Sequence, residues 1–138
     1  MFKKILVPLD LTDKHGPALA IAAELAQQSG GAVALLHVIE VIPGLSMEEE
    51  RKFYNRLELT ARNHLQRNAG MLADQKVPVQ QEVVYGNRAR EIARYAAEAR
   101  ADLIVLTAPQ IEPDKPASWG SMSYKVGILA RCPVLLVK

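Results

Sequence analysis

Residues 5–10 read Ile5-Leu6-Val7-Pro8-Leu9-Asp10: three apolar residues, a proline, and a carboxylate shortly after it. A short apolar run with no polar alternation is typical of a strand buried on both faces of a parallel sheet. Three further continuous apolar runs occur along the chain, and they are Ala32–Ile39, residues 103–106 and Val134–Val137. We expect all four segments to be strands of one parallel sheet.

A fifth apolar run, residues 77–85, differs from the other four because polar residues alternate with apolar ones. Val79, Val83 and Tyr85 share one face with Val77, whereas polar side chains such as Glu82 and Gln80 point the other way. This alternation predicts a half-exposed strand at an edge of the sheet.

Four helical patterns separate these strands. Ser46 and Glu49 form a predicted capping box for the second helix, Asn87 caps the third, and the fourth spans roughly residues 121–130. The spacing of apolar residues predicts the following inward faces: Leu19, Ala22, Ala23 and Ala26; Phe53, Leu57, Ala61, Leu65 and Leu72; Ala89, Ile92, Ala93 and Ala96; Met122, Val126 and Leu129.

The alternation of strands and helices predicts one doubly wound α/β domain over residues 1–138, with helices on both faces of a five-stranded parallel sheet. With the half-polar third strand at an edge, the simplest strand order is 3-2-1-4-5. Ligands in such sheets bind beyond the carboxyl ends of the strands where the order reverses, here between strands one and four. The loops to inspect are therefore residues 8–14 and 107–121.

The bulk composition excludes several classes of protein. The net charge of +2, from 17 Lys plus Arg against 15 Asp plus Glu, is too small and scattered to favour nucleic-acid binding. The single cysteine, Cys132, rules out an internal disulfide, fits a reducing compartment, and is expected to be a small buried residue. The sequence shows neither a signal peptide nor a membrane span, so we expect a cytoplasmic protein without membrane contact.

The two loops at the predicted crevice carry polar residues with two open interpretations. Asp10 emerges directly from the first strand, where its carboxylate could hold a ribose hydroxyl or a metal-bound water; alternatively, Asp10 or Asp13 could simply cap the next helix. Gly120 and Ser121 begin the last helix, where free backbone N–H groups and a hydroxyl suit an anion, but the same pair is also an ordinary cap.

Several other residues favour structural interpretations. His37 lies in an apolar strand and is expected to be a satisfied core histidine, and His15 and His64 lack partners for a metal site. Trp119 is expected to close the base of its loop. The arginines that follow the third strand are interpreted as a solvated helix face away from the crevice, and they are Arg88, Arg90 and Arg94.

Beyond these local patterns, the chain resembles the universal stress protein family over almost its whole length. The opening strand at residues 5–10, Leu35-Leu36-His37-Val38, residues 101–105 and the segment from Gly120-Ser121 to Val137 match family elements in order. The resemblance implies a flavodoxin-like or Rossmann-like fold, dimerisation, stress-linked expression and, in one branch, ATP binding.

The nucleotide-binding branch carries Gly, two residues, Gly, nine residues, then Gly and Ser or Thr. That spacing survives here, but Thr107 and Gln110 replace the first two glycines, and Pro109 between them lacks a donor N–H. By position, the implied nucleotide site comprises Pro8, Leu9, Asp10, Val38, Thr107, Gln110, Gly120, Ser121, Met122 and Ser123. Val38 would offer backbone groups to adenine, Asp10 would reach the ribose, and the residues from Gly120 to Ser123 would meet phosphates.

These observations favour a regulator that binds ATP or AMP, with ATP weakened by the lost glycines and Mg²⁺ present only with a triphosphate. One alternative is a nucleotide-free dimer that acts through protein contacts; another is a slow ATPase in which Asp10 would position water or metal. A phosphoacceptor receiver would need an aspartate where Tyr85-Gly86-Asn87 stands. The apolar last strand, Val134–Val137, is expected to pair with its copy in a homodimer, and a further protein partner is open.

Overall fold

The computed structural model describes residues 1–116 and 121–138. In chain order, the elements are β1 (Lys4–Pro8), α1 (Gly16–Ser29), β2 (Ala32–Ile39), α2 (Arg51–Ala73), β3 (Val79–Tyr85), α3 (Arg88–Glu98), β4 (Leu103–Thr107), α4 (Met122–Leu129) and β5 (Val134–Val137). The five strands form one parallel sheet in the order β3-β2-β1-β4-β5. The predicted fold class and strand order are confirmed.

Two apolar clusters pack on opposite faces of the sheet. The larger joins α1 and α2 to β1 and β2 through residues such as Ala22, Leu65 and Leu35. The smaller joins α3 and α4 to the other face through residues such as Ile92 and Val126. The molecule is therefore a three-layer sandwich, and the strand ends are where loops can form a site.

The helix boundaries follow local signals. Gly30 ends α1 with φ 67°, a left-handed conformation that glycine adopts without steric cost. Asn87 caps α3 by accepting a hydrogen bond from the Arg90 N–H at 3.1 Å. Ser46 does accept the Glu49 N–H at 3.1 Å, but α2 begins only at Arg51, so half of the predicted capping box closes a turn before the helix.

The side chain of Tyr54 is buried in α2, although the predicted stripe ran through Phe53 instead. Its hydroxyl donates to the Leu45 carbonyl at 2.6 Å and accepts the Ile42 N–H at 3.0 Å. Tyr54 thus fastens the loop between β2 and α2 to the core, while Phe53 packs partly buried at its margin.

The carboxyl-terminal region departs most from expectation. Leu129 is 51% exposed rather than inward, and Ser123 is buried in α4 instead. β5 is not covered on both faces, because Leu135 and Leu136 are 37% and 46% exposed. Cys132 is half-buried, and burial raises the pKa of its thiol. Among the residues the structure describes, no helix is long and apolar enough to cross a membrane.

Candidate functional site

Pro8 determines where β1 and β4 separate. The Asp102 N–H donates to the Lys4 carbonyl, so even-numbered residues of β1 direct their backbone groups toward β4. The β1–β4 ladder consists of Ile5↔Leu103 and Leu6↔Ile104, and the next donor on that side would belong to Pro8, which has no N–H. The ladder therefore ends there, and a crevice opens at the predicted position.

This crevice has apolar walls and a polar mouth. It is narrow, with a cavity volume of about 50 Å³ and, when open solvent at the mouth is included, about 440 Å³ of free space. The apolar walls are Pro8, Leu9, Leu36, Val38, Ile92, Leu106 and Met122, and the polar residues are Asp10, Lys14, His15, Arg88 and Thr107. The arrangement suits a flat apolar group with a polar substituent.

The Asp10 carboxylate is held by its own loop. Its Oδ1 accepts hydrogen bonds from the Thr12 N–H at 3.0 Å, from the Thr12 hydroxyl, and from His15 Nε2 at 2.6 Å. Its Oδ2 faces the Lys14 ammonium at 3.2 Å. Burial raises the pKa of Asp10, but the hydrogen bonds from Thr12 and His15 outweigh it and leave that pKa well below the ordinary value.

Of the two interpretations of Asp10, helix capping is wrong, because α1 has His15 at its N-cap and no side-chain cap hydrogen bond. Asp10 instead closes a turn onto Thr12. Oδ1 carries three of the four contacts, so Oδ2 keeps the larger free acceptor capacity, and the lowered pKa keeps the carboxylate ionised.

His15 is a component of the site that the sequence analysis did not include. Its side chain is buried between two strand ends, with Nε2 at 2.6 Å from Asp10 Oδ1 and Nδ1 at 2.7 Å from Thr107 Oγ1. A continuous hydrogen-bonded chain, Asp10–His15–Thr107, therefore crosses the floor of the crevice. The only sequence signal was a histidine five residues after the strand-end carboxylate.

The backbone of Val38 faces the crevice because β1 stops early. The Leu9 N–H donates to the Leu36 carbonyl at 2.8 Å, so Leu36 faces β1, and by alternation Val38 does too. The next acceptor on β1, the Leu9 carbonyl, instead receives a hydrogen bond from His37 Nδ1 at 2.7 Å. His37 is thus the satisfied core histidine we expected, and Val38 presents an N–H and a C=O past the end of β1.

A second cavity, here called the outer cavity, adjoins the crevice through Lys14 and Thr107, which line both. It is also lined by residues 108–111 and by Ser121, Ser123 and Tyr124. Gln110 is exposed, and Ser121 makes no side-chain cap hydrogen bond at the start of α4. Lys138 lines this cavity as well, so hydroxyls and two ammonium groups surround the space next to the crevice.

Most of the predicted site residues lie together around the two cavities. Leu9, Met122 and Thr107 line the crevice, and Gln110, Ser121 and Ser123 line the outer cavity. Gly120 and Trp119 lie outside the described residues, so their predicted roles stay predictions, as do all the ligand contacts.

One placement is wrong. Arg88 was assigned to a helix face away from the crevice, but it lines the crevice. Its position follows from the sharp connection at Gly86, φ 148°, which brings the start of α3 back over the end of β2, where the Arg88 N–H donates to Glu40 at 3.3 Å. Arg94 does lie on the solvated face of α3, paired with Glu91 and Glu98.

The strand order and the crevice define a doubly wound α/β protein with a crevice at its switch point, and comparison with known proteins makes the class specific. The sequence model of the universal stress protein family matches residues 1–138. Universal stress protein YxiE of Bacillus subtilis (strain 168) is 33% identical over 153 aligned residues, covering 100% of both chains. The chain belongs to the universal stress protein family.

Solved structures agree with this assignment. MJ0577, a universal stress protein of Methanocaldococcus jannaschii, is 30% identical with a TM-score of 0.86, covering 100% of this chain and 96% of that one. The universal stress protein of Archaeoglobus fulgidus in complex with dAMP is 20% identical with a TM-score of 0.76, covering 100% of both chains, a likeness of fold alone.

Proposed function

We propose that the crevice binds an adenine nucleotide and that the protein works as a nucleotide-responsive regulator. The observation that carries the proposal is the Val38 backbone, whose N–H and C=O face an apolar slot that ends at the Asp10 carboxylate. Adenine is a flat base with an acceptor, N1, beside a donor, the 6-amino group. Val38 would complement that edge while Pro8 and Leu106 flank the ring. The Archaeoglobus relative in complex with dAMP supports this choice of ligand.

The order of the polar groups, from the mouth of the crevice to the outer cavity, suggests where the ribose and the phosphate would lie. Asp10 Oδ2 lies at the mouth of the slot, where it would accept a ribose hydroxyl. The outer cavity, with Lys14, Ser121 and Ser123, would take the phosphate. Helix α4 begins there, and its free N–H groups favour an anion.

The proposed ligand is AMP in preference to ATP. Glycines at 107 and 110 would allow close approach of backbone N–H groups to a phosphate chain, whereas Thr107, Pro109 and Gln110 narrow that approach. AMP needs less of this segment than a triphosphate does. We infer a role for Mg²⁺ only where a triphosphate binds.

The test combines two measurements. Mass spectrometry of small molecules released from freshly purified, denatured protein should identify an adenine nucleotide. Calorimetric titration should show AMP binding more tightly than GMP by at least about tenfold, because guanine presents a donor at N1 and an acceptor at O6, and each mismatched hydrogen bond costs about 1–3 kcal/mol. Equal affinities for AMP and GMP would contradict the assignment of Val38.

A second candidate function, a dimeric regulator that acts through protein contacts, is favoured by the surface around β5. In the described part of the chain β5 pairs only with β4, so its outer edge is open. Leu136, Tyr124, Ile128 and Leu129, on β5 and α4, are 46%, 65%, 63% and 51% exposed. An apolar open edge invites pairing, and we infer an isologous homodimer through Val134–Val137.

Substitution of Leu135 and Leu136 by lysine tests the dimer, because both side chains are already exposed and the fold should tolerate the change. Light scattering should show the dimer mass falling to the monomer mass. Leu59→Lys, at a 62% exposed leucine on α2, is the matched control and should stay dimeric. A double variant that remains dimeric with unchanged circular dichroism would contradict this interface.

A further inference from the structure

The chain Asp10–His15–Thr107 has a defined direction of hydrogen bonding in the unliganded protein. The low pKa of Asp10 keeps its carboxylate ionised, and a carboxylate only accepts hydrogen bonds. At 2.6 Å from Oδ1, His15 Nε2 must therefore carry its hydrogen. The Asp10 N–H also approaches Nε2, at 3.3 Å, but the closer carboxylate decides the tautomer.

With the hydrogen on Nε2, Nδ1 of a neutral imidazole is an acceptor. Thr107 Oγ1, at 2.7 Å, then donates its only hydrogen to Nδ1. The hydroxyl consequently has no hydrogen to offer to a ligand and presents oxygen lone pairs to both cavities that Thr107 lines. In this state Thr107 repels a phosphate oxygen.

Protonation of His15 reverses the last bond of the chain. Nδ1 then carries a hydrogen and donates to Thr107 Oγ1, so the threonine hydroxyl is released to donate to a phosphate oxygen. The imidazolium is at the same time compensated by the Asp10 carboxylate on its other side. Histidine is the side chain whose charge ordinarily changes between pH 5 and 8.

We propose that His15 and Thr107 form a proton-coupled phosphate subsite, in which binding of a nucleoside phosphate is accompanied by proton uptake at His15. The proposal rests on the proposed nucleotide function and adds its regulation: the threonine at 107 provides a phosphate donor only when His15 is charged. Lower pH therefore increases affinity for AMP and leaves affinity for adenosine unchanged.

The charges around the ring are compatible with this exchange. Carboxylates on the β1–α1 loop favour the imidazolium, while nearby cations oppose it. The titratable or charged groups that share a cavity with His15 are Asp10, Asp13 and Lys14 from its own loop, Arg88 from α3 and His64 from α2, and Arg67 and His37 act in turn on His64.

The experiment is calorimetric titration at pH 7.5 in buffers of different protonation enthalpy, with AMP and with adenosine. At this pH the AMP phosphate, with a pKa of about 6, is already a dianion. We expect uptake of up to about one proton per AMP, with affinity rising by up to about tenfold per pH unit on acidification, and no uptake with adenosine.

Three variants separate this role from a structural one. Thr107→Val keeps the shape, removes the hydroxyl and should abolish proton uptake, whereas Thr107→Ser should restore it. His15→Gln should bind AMP without pH dependence. His64→Gln, at a buried histidine on α2, should behave as the wild type.

Binding of AMP without proton uptake, equal uptake with adenosine, or uptake retained in Thr107→Val would overturn the proton coupling and leave the proposed function intact. Absence of binding by both AMP and adenosine would overturn the proposed function and this inference together.

Discussion

The loop after β1 and the segment after β4 bound the same crevice but use their polar groups differently. In the β1 loop, Asp10, Thr12 and Lys14 satisfy one another and His15 before any ligand arrives. In the β4 segment, Thr107 alone is tied to that network, whereas Gln110 is exposed. On the proposed function, the β1 loop is pre-organised to meet a neutral sugar, while the β4 segment must change its hydrogen bonding to accept a phosphate.

The largest expected effect comes from giving the β4 segment the missing glycines. The double variant Thr107→Gly, Gln110→Gly should bind ATP about a hundredfold more tightly than the wild type. Two recovered backbone hydrogen bonds to charged oxygens contribute roughly 3–6 kcal/mol, and each 1.4 kcal/mol is about tenfold. Calorimetric titration measures the change, with adenosine as the ligand that should not respond. If the wild type binds ATP tightly and the two glycines do not improve that affinity, the contrast drawn between the β1 loop and the β4 segment is wrong.

A smaller effect is expected in the β1 loop, whose polar groups already satisfy one another. Asp10→Asn keeps the shape of the side chain but replaces charged hydrogen bonds by neutral ones, which are about half as strong. Unfolding in urea should show a loss of about 1–2 kcal/mol, and the affinity for adenosine should fall about tenfold. Asp13→Asn, at an exposed position of the same loop, is the control. If the two variants behave alike, Asp10 has no special role.

The lowered pKa of Asp10 also predicts that the free energy of unfolding decreases at acid pH. Because the folded-state pKa of Asp10 is lowered from 3.8, its contribution is fully present above the unfolded-state pKa and is lost as pH falls through the folded-state value. The stability difference between the wild type and Asp10→Asn should therefore be constant from pH 7 to about pH 5 and shrink below about pH 4. Urea unfolding at several pH values checks this, and a difference that is as large at about pH 2 as at pH 7 would contradict it.

The smallest effect is expected at Lys14, which lines both cavities. Its side chain is 54% exposed, so its ion pair with Asp10 contributes no more than about 1 kcal/mol. Lys14→Gln should leave the midpoint of urea unfolding almost unchanged and weaken AMP binding a few-fold, with adenosine unaffected. A loss of adenosine binding as large as that of AMP would place Lys14 at the sugar instead of the phosphate.

Periodicity predicted the sheet well because the five strands differ in their surroundings. The polar alternation around Glu82 and Gln80 placed β3 at an edge, and the continuous run at residues 5–7 placed β1 in the centre. Periodicity failed where an element lies beyond the sheet: α4 packs near the open edge at β5, so Leu129 extends past the core that its spacing predicted.

The candidate site was predictable only in part. Asp10 follows from its place at the end of a strand, which local sequence defines, whereas the role of Val38 was implied by the resemblance to the family. The hydrogen bond between His15 and Thr107 joins residues 92 positions apart. Local sequence patterns do not show which residues so far apart in the chain come into contact. Arg88 was misplaced for a related reason: its position depends on the chain reversal at Gly86, which brings α3 back over the end of β2.

The early end of β1 has one more consequence. With the Leu9 carbonyl engaged by His37, the N–H and C=O of Val38 present what a strand presents to its neighbour: a donor and an acceptor side by side, at the spacing of one peptide unit. A purine edge that offers an acceptor next to a donor would form with Val38 the hydrogen bonds that one more residue of β1 would form. Base recognition of this kind would extend the sheet with a molecule that has no backbone, and its specificity would reside in main-chain atoms, which every substitution at position 38 except proline leaves in place.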